Sequence, residues 1–181
     1  MEKVDQQDTL QKLVNENLYF LRQGRSLIAD LEPEQFSTLK DATGNGTVGA
    51  HFRHCIDMYN CFLNGLSCNL IDYINRERDK QVEQYCHVAE RKIAEHIYQL
   101  LDLREHPPQN NYIDIILVTD SEDSGAVPQK IPSSIMRELF MLSSHTVHHY
   151  ALIAQILSRH EIDYPEYFGV APSTLAYWKK Q

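Results

Sequence analysis

The chain has 181 residues, of which 43% are apolar and 23% charged, and these values are typical of one globular domain, here covering residues 1–181. Its formal net charge of −8 disfavours general binding to nucleic acid, because an acidic surface repels the phosphate backbone. No apolar run suggests a signal peptide or a membrane span, so we expect a cytoplasmic protein. The four cysteines form no C-x-x-C pair, and in the cytoplasm we expect them to be reduced thiols.

Two amphipathic helices are predicted in the first third of the chain. Apolar residues spaced three or four apart predict the first helix over Asp8–Leu31, and Pro33 then interrupts the pattern. The Gly44-Asn45-Gly46 sequence predicts a turn, and Thr47 is a suitable N-cap for the following helix. That second helix is predicted over Val48–Leu66.

A polar connector, a third helix and a short β segment follow. The connector "SCNLIDYINRERDKQ" leads into a helix over Gln81–Leu103. The β-branched segment "NNYIDIILVTD" predicts a strand, "SEDSG" a turn, and "AVPQKI" a second strand that pairs back as a hairpin. The charged part of the connector, "NRERDKQ", is expected to be solvated, with contact to an acidic group of a substrate as the alternative.

The last third of the chain predicts a fourth long helix over Ser133–Arg159 and an aromatic-rich, packed tail. Four long helices with one β interruption predict an all-α fold of the bundle type.

Three of the nine histidines lie close together in the fourth predicted helix, at His145, His148 and His149. His145 and His149 are four residues apart, so their side chains lie about 40° apart on one helix face and can converge on one ion. His148 is rotated by about 100° from His149 and is expected at the flank. Two neutral imidazoles on a core face need partners, and hydrogen bonding within the core is the alternative to a metal.

The second predicted helix supplies further candidates in "HFRHCID". A third imidazole from a facing helix would complete the three-histidine set of an open catalytic metal site. His51 and His54 both flank the apolar line of this helix, so periodicity leaves the choice between them open. Three imidazoles without a thiolate suit zinc or nickel.

Both histidine segments, in their order and separation, resemble the DinB-like family, named for DNA-damage-inducible bacterial proteins. The resemblance extends over nearly the whole chain and implies an up-down-down-up four-helix bundle, here with a small hairpin-like insert between the third and fourth helices. The family pattern His-x-x-Asp matches His54–Asp57, and His-x-x-His-His matches His145–His149. The resemblance therefore implies His54, His145 and His149 as metal ligands, although Tyr150 replaces the Arg that many members carry.

The resemblance also implies a function for the open side of the ion. DinB-fold enzymes carry out metal-dependent hydrolysis, or transfer reactions that use a low-molecular-weight thiol, and they commonly form homodimers. We therefore expect a small-molecule substrate and no nucleic-acid or membrane partner. The alternatives are a metal-binding, stress-associated protein without turnover and a structural bundle with hydrogen-bonded histidines.

Acidic and thiol side chains near the histidines are further candidate site residues. Asp57 lies one turn after His54 and is the candidate catalytic residue, as a base or as a group that orients a ligand, with a surface carboxylate as the alternative. Glu138 lies two turns before His145 on the same helix face, and we expect it to pair with a neighbouring arginine, with a position facing the histidine cavity as the alternative. Cys55 and Cys61 are expected to pack as buried thiols, with a thiolate ligand near His54 as the alternative.

Overall fold

The computed structural model describes residues 6–44, 46–118 and 127–180. Within this part of the chain there are seven helices and three strands. In chain order they are α1 (Gln6–Asp30), α2 (Pro33–Thr38), α3 (Val48–Gly65), β1 (Leu70–Asp72), α4 (Lys80–Gln84), α5 (Cys86–Glu105), β2 (Tyr112–Leu117), β3 (Gln129–Ser134), α6 (Ile135–Arg159) and α7 (Pro172–Trp178).

Four long helices, α1, α3, α5 and α6, enclose the core. Helix α1 packs against α5 and α6, and α3 packs against the same two helices. One buried polar group joins three of them: Asn17 of α1 donates to the Leu139 carbonyl of α6 at 2.9 Å and accepts from the Tyr59 hydroxyl of α3 at 2.7 Å. Buried aromatic residues of α1–α3 and α6 fill much of the remaining interior: Phe20, Phe36, Phe52, Tyr59, Phe62 and Tyr150.

The start of α3 is defined by local sequence, and this fixes where its histidines lie. The predicted cap is confirmed, because the Thr47 hydroxyl accepts from the Ala50 backbone N–H at 3.0 Å. Gly44 adopts a φ of 77°, in the left-handed region that glycine enters without steric cost. Asn45, the middle residue of the predicted turn, lies outside the described residues.

The prediction of an all-α, up-down-down-up four-helix bundle with a small hairpin insert is wrong. The described residues include a three-stranded mixed sheet in the order β1-β2-β3. β2 and β3 form an antiparallel pair, as the hairpin prediction required, but β1 pairs parallel to β2, with Ile71 opposite Ile115. Both of these isoleucines are buried, so the sheet contributes to the core instead of standing apart as an insert.

Further differences concern short elements. Helices α2, α4 and α7 have five to seven residues, too few for a hydrophobic period to be visible in the sequence. The predicted "SEDSG" turn at residues 121–125 lies outside the described part of the chain. Among the helices that are described, none is long and apolar enough to cross a membrane.

Candidate metal centre

Three histidines come together where α3 faces α6. One ring nitrogen from each of His54, His145 and His149 lies within 4.8 Å of the others, and all three side chains are half-buried. His54 comes from α3, and the other two lie one turn apart on α6, as their i,i+4 spacing requires. His148 is exposed and outside this group, although its ring lies 5.1 Å from that of His149.

The spacing of the three rings suits a metal ion. Their centroids are 4.6 to 4.9 Å apart, and the Nε2 atoms of His54 and His145 face each other at 2.8 Å. Nitrogen ligands at a zinc–nitrogen distance of 2.0–2.1 Å in a tetrahedron lie about 3.3 Å from one another. A small increase in the distance between the two Nε2 atoms would therefore make room for an ion between the rings. The three imidazoles also form a donor set that transition metals favour.

The surroundings keep the histidines neutral, which is the form that binds metal. Burial, followed by the neighbouring His145 and the guanidinium of Arg76, lowers the pKa of His54 to about 4. Burial and the adjacent imidazoles lower the pKa of His149 to about 3, and burial also lowers the pKa of His145.

His51 supports the site through a second contact. Its Nδ1 lies 3.0 Å from Nδ1 of His149, and its buried Nε2 lies 4.0 Å from a carboxylate oxygen of Asp41. A metal-binding histidine usually donates its other N–H to an acceptor that fixes its ring, and a carboxylate often ends such a chain. His51 thus lies where it can orient His149, which the sequence alone did not reveal.

Arg76 contacts the histidine that α3 contributes to the group. It follows β1 in the connector, and its Nη1 lies 2.9 Å from Nδ1 of His54. The connector is held by Asp72, whose carboxylate accepts from the backbone N–H groups of Ile74 and Asn75. This arginine belongs to the charge cluster that the sequence suggested was solvated, yet it is only partly exposed.

Asp57, the candidate catalytic residue, is buried rather than on the surface. Its carboxylate accepts from Arg53 at 2.8 Å and from the backbone of Arg78, and Arg53 also pairs with Glu83 at 2.9 Å. Burial raises the pKa of Asp57, while the guanidinium of Arg53 opposes that rise. These contacts direct the carboxylate to Arg53 and the connector, so a role as base stays a prediction.

Glu138 pairs with the neighbouring Arg137 at 2.8 Å, as expected, and it also accepts from Tyr73 at 2.8 Å and from Ser133. This fully buried carboxylate anchors the segment after β1 to the start of α6. It therefore helps to hold the connector that carries Arg76.

The two cysteines of α3 are free thiols whose deprotonation is disfavoured in the absence of a metal ion. Burial raises the pKa of the Cys55 thiol well above its usual range, and burial and Asp57 raise that of Cys61 to about 11. A free thiolate is therefore disfavoured at both positions.

A shallow surface groove of about 410 Å³ runs along α6 and includes His145 of the histidine group. Its lining includes Arg137, Phe140, Met141, Ser144, His145 and His148. Because His145 belongs both to this groove and to the histidine group, a small molecule in the groove would lie beside a candidate metal ligand.

Comparison with known proteins does not identify a family. No family model matches the chain. FK506-binding protein 5 of Rhizopus delemar (strain RA 99-880 / ATCC MYA-4621 / FGSC 9543 / NRRL 43880) is 31% identical over 112 residues, which cover 62% of this chain. The matched part spans 28% of that protein, well under two thirds of its length, so its name is no evidence for the function of this chain.

Proposed function

We propose that this protein is a metal-dependent enzyme of the DinB-like type that acts on a small molecule. In this proposal His54, His145 and His149 hold one divalent transition-metal ion, zinc or nickel, and leave one side of it open. The observation that carries the proposal is the convergence of three neutral imidazoles from α3 and α6 within 4.8 Å. The sequence resemblance names the same three residues.

The chemistry follows from the donor set. A divalent ion held by three neutral imidazoles keeps its full double charge and can activate a water molecule or a thiol at its open position. The protein's own residues then have separate tasks. His51 orients His149, and the groove beside His145 admits the small molecule. Hydrolysis and transfer of a low-molecular-weight thiol are both compatible with this arrangement.

The first experiment tests whether the site binds metal. Protein purified without a histidine tag, in the absence of chelators, is analysed for transition metals. We expect close to one equivalent of zinc or nickel in the wild type and loss of that metal in His54→Ala, His145→Ala and His149→Ala. Less than about a tenth of an equivalent, with no uptake of added metal, would reject the proposal in favour of hydrogen-bonded core histidines.

The second experiment separates an enzyme from a metal-binding protein without turnover. The metal-loaded protein is assayed with model esters, amides and pairs of a thiol with an electrophile. We expect a rate that disappears in His54→Ala and in the presence of chelator and returns when metal is added back. A full metal site without any such rate would support the metal-binding alternative.

A further inference from the structure

Arg76 lies at the edge of the histidine group and forms no ion pair with any of the described residues. Its Nη1 contacts His54, and no carboxylate oxygen of the described residues lies within 4.0 Å of its guanidinium. The Nε–H of Arg76 is buried and has no hydrogen-bond partner among the described residues. Asp57, the nearby acid, is already engaged by Arg53 and the backbone of Arg78. An unpaired donor of this kind is costly to bury, so an anionic partner would stabilise it.

The contact between Arg76 and His54 is compatible only with a metal-free ring. A guanidinium can only donate, so Nδ1 of His54 must be the acceptor, and its neutral ring carries the proton on Nε2. If Nε2 instead binds an ion, the neutral ring carries its proton on Nδ1. Two donors would then face each other, and the Arg76 side chain would have to leave His54.

We propose that Arg76 binds a carboxylate group of the small-molecule substrate beside the three histidines. Once it leaves His54, its Nε and Nη groups form the planar fork that accepts a carboxylate through two parallel hydrogen bonds. The buried Nε–H thereby gains the partner that it lacks. This inference rests on the proposed function, because it assumes that the histidines hold the ion, and it narrows the substrate to an anionic small molecule.

The test uses the cobalt-loaded protein, whose visible spectrum reports both the ion and a thiol bound to it. The probes are 3-mercaptopropionate and its neutral methyl ester, which share the thiol and differ in charge. We expect the wild type to bind the acid about tenfold or more tightly than the ester, because a charged hydrogen-bonded pair is formed only with the acid. In Arg76→Gln this preference should disappear.

Arg78→Gln is the matched control, because it removes the same charge from an exposed position two residues further along the connector. This variant should keep the preference for the acid. Equal binding of acid and ester by the wild type, or no saturable binding of the acid at millimolar concentration, overturns the inference. A preference that persists in Arg76→Gln also overturns it, since the carboxylate would then contact the ion. Failure of the wild type to take up cobalt would instead count against the proposed function.

Discussion

At the scale of single residues, the candidate ligand histidines differ in what the second nitrogen of each ring contacts. Nδ1 of His149 faces His51, which can accept a hydrogen bond from it, whereas Nδ1 of His54 faces Arg76, which can only donate one. Metal binding is therefore supported at His149 and opposed at His54. The affinity of the site should depend on these neighbours as well as on the three ligands.

The role of His51 predicts a graded loss of affinity. His51→Ala should weaken zinc binding about 10- to 100-fold while leaving the stoichiometry at one, because His149 loses the group that orients its ring. Competition with a chromophoric chelator measures this change. His148→Ala is the matched control, since that exposed side chain lies beside the same ring, and it should bind zinc as the wild type does. An unchanged affinity in His51→Ala would contradict the assignment.

A histidine outside the site predicts how stability depends on pH. His96 is 2% exposed, its Nε2 lies 2.7 Å from the Asn60 side-chain oxygen, and burial lowers its pKa to about 4 from 6.5. Between these two values the unfolded chain binds a proton that the folded protein excludes. The contribution of His96 to the free energy of unfolding should therefore be complete above pH 6.5. It should fall as the pH drops from 6.5 towards 4.

The size of this effect is measured against a variant that cannot titrate. In urea titrations of metal-free protein, the advantage of the wild type over His96→Gln should shrink by about 3 kcal/mol as the pH falls from neutral to about 4. Contributions from the other histidines cancel in that difference. His160→Gln, at an exposed position, is the control and should show no such trend. A constant difference between wild type and His96→Gln would contradict the prediction.

Some of these residues could be found from the sequence and others could not. The i,i+4 spacing of His145 and His149 was sufficient to place both on one face of a helix. For His51 and His54 both positions flank the apolar line, so the choice needed the family resemblance. The role of Arg76 depends on how the connector folds over α3, and no local pattern in a charged segment carries that information.

At the scale of elements, length decides what the sequence reveals. The four long helices span several hydrophobic periods, and the bounds of α1, α3 and α6 were predicted to within two residues. The third predicted helix, Gln81–Leu103, was wrong at its start, because the chain is divided there into α4 and α5 at Tyr85. β1 has only three residues, and its partner β2 begins forty residues after β1 ends, so the parallel pairing leaves no local pattern. The fold class was missed for this reason, while the antiparallel pair was predicted because its strands are near one another in sequence.

Close approach of α3 and α4 predicts the effect of a small substitution. A Cβ atom added at Gly49 would lie 2.1 Å from the Glu83 carbonyl oxygen and 2.8 Å from the Phe36 ring. Gly49→Ala should therefore destabilise the protein by about 2 kcal/mol, because the backbone of α4 must move and this outweighs the gain in helix propensity. The midpoint of chemical unfolding measures this change.

Asn64→Ala in the same helix provides the control, since Asn64 is exposed and alanine only improves helix propensity there. Its midpoint should equal or exceed that of the wild type. Because Glu83 also pairs with Arg53, Gly49→Ala should disturb the charged cluster that holds Asp57. A stable Gly49→Ala variant would show that α4 does not pack against α3 as closely as described.

At the scale of the whole molecule, the histidine group joins two helices that are distant in sequence. His54 and His145 are 91 residues apart, and α3 and α6 already pack against each other. An ion held by both helices would be bound only by the folded chain, because the unfolded chain cannot bring these ligands together at low cost. Metal binding and global stability should therefore be linked.

This linkage predicts that zinc stabilises the entire domain. At a free zinc concentration of 100 times its dissociation constant, the free energy of unfolding should rise by about 2.7 kcal/mol, because only the folded state binds the ion. Denaturant titrations with and without buffered zinc measure the increase. The slope of the free energy of unfolding against denaturant concentration should be the same in both. His149→Ala should show no increase at the same zinc concentration. An equal increase in that variant would place the stabilising ion elsewhere in the chain.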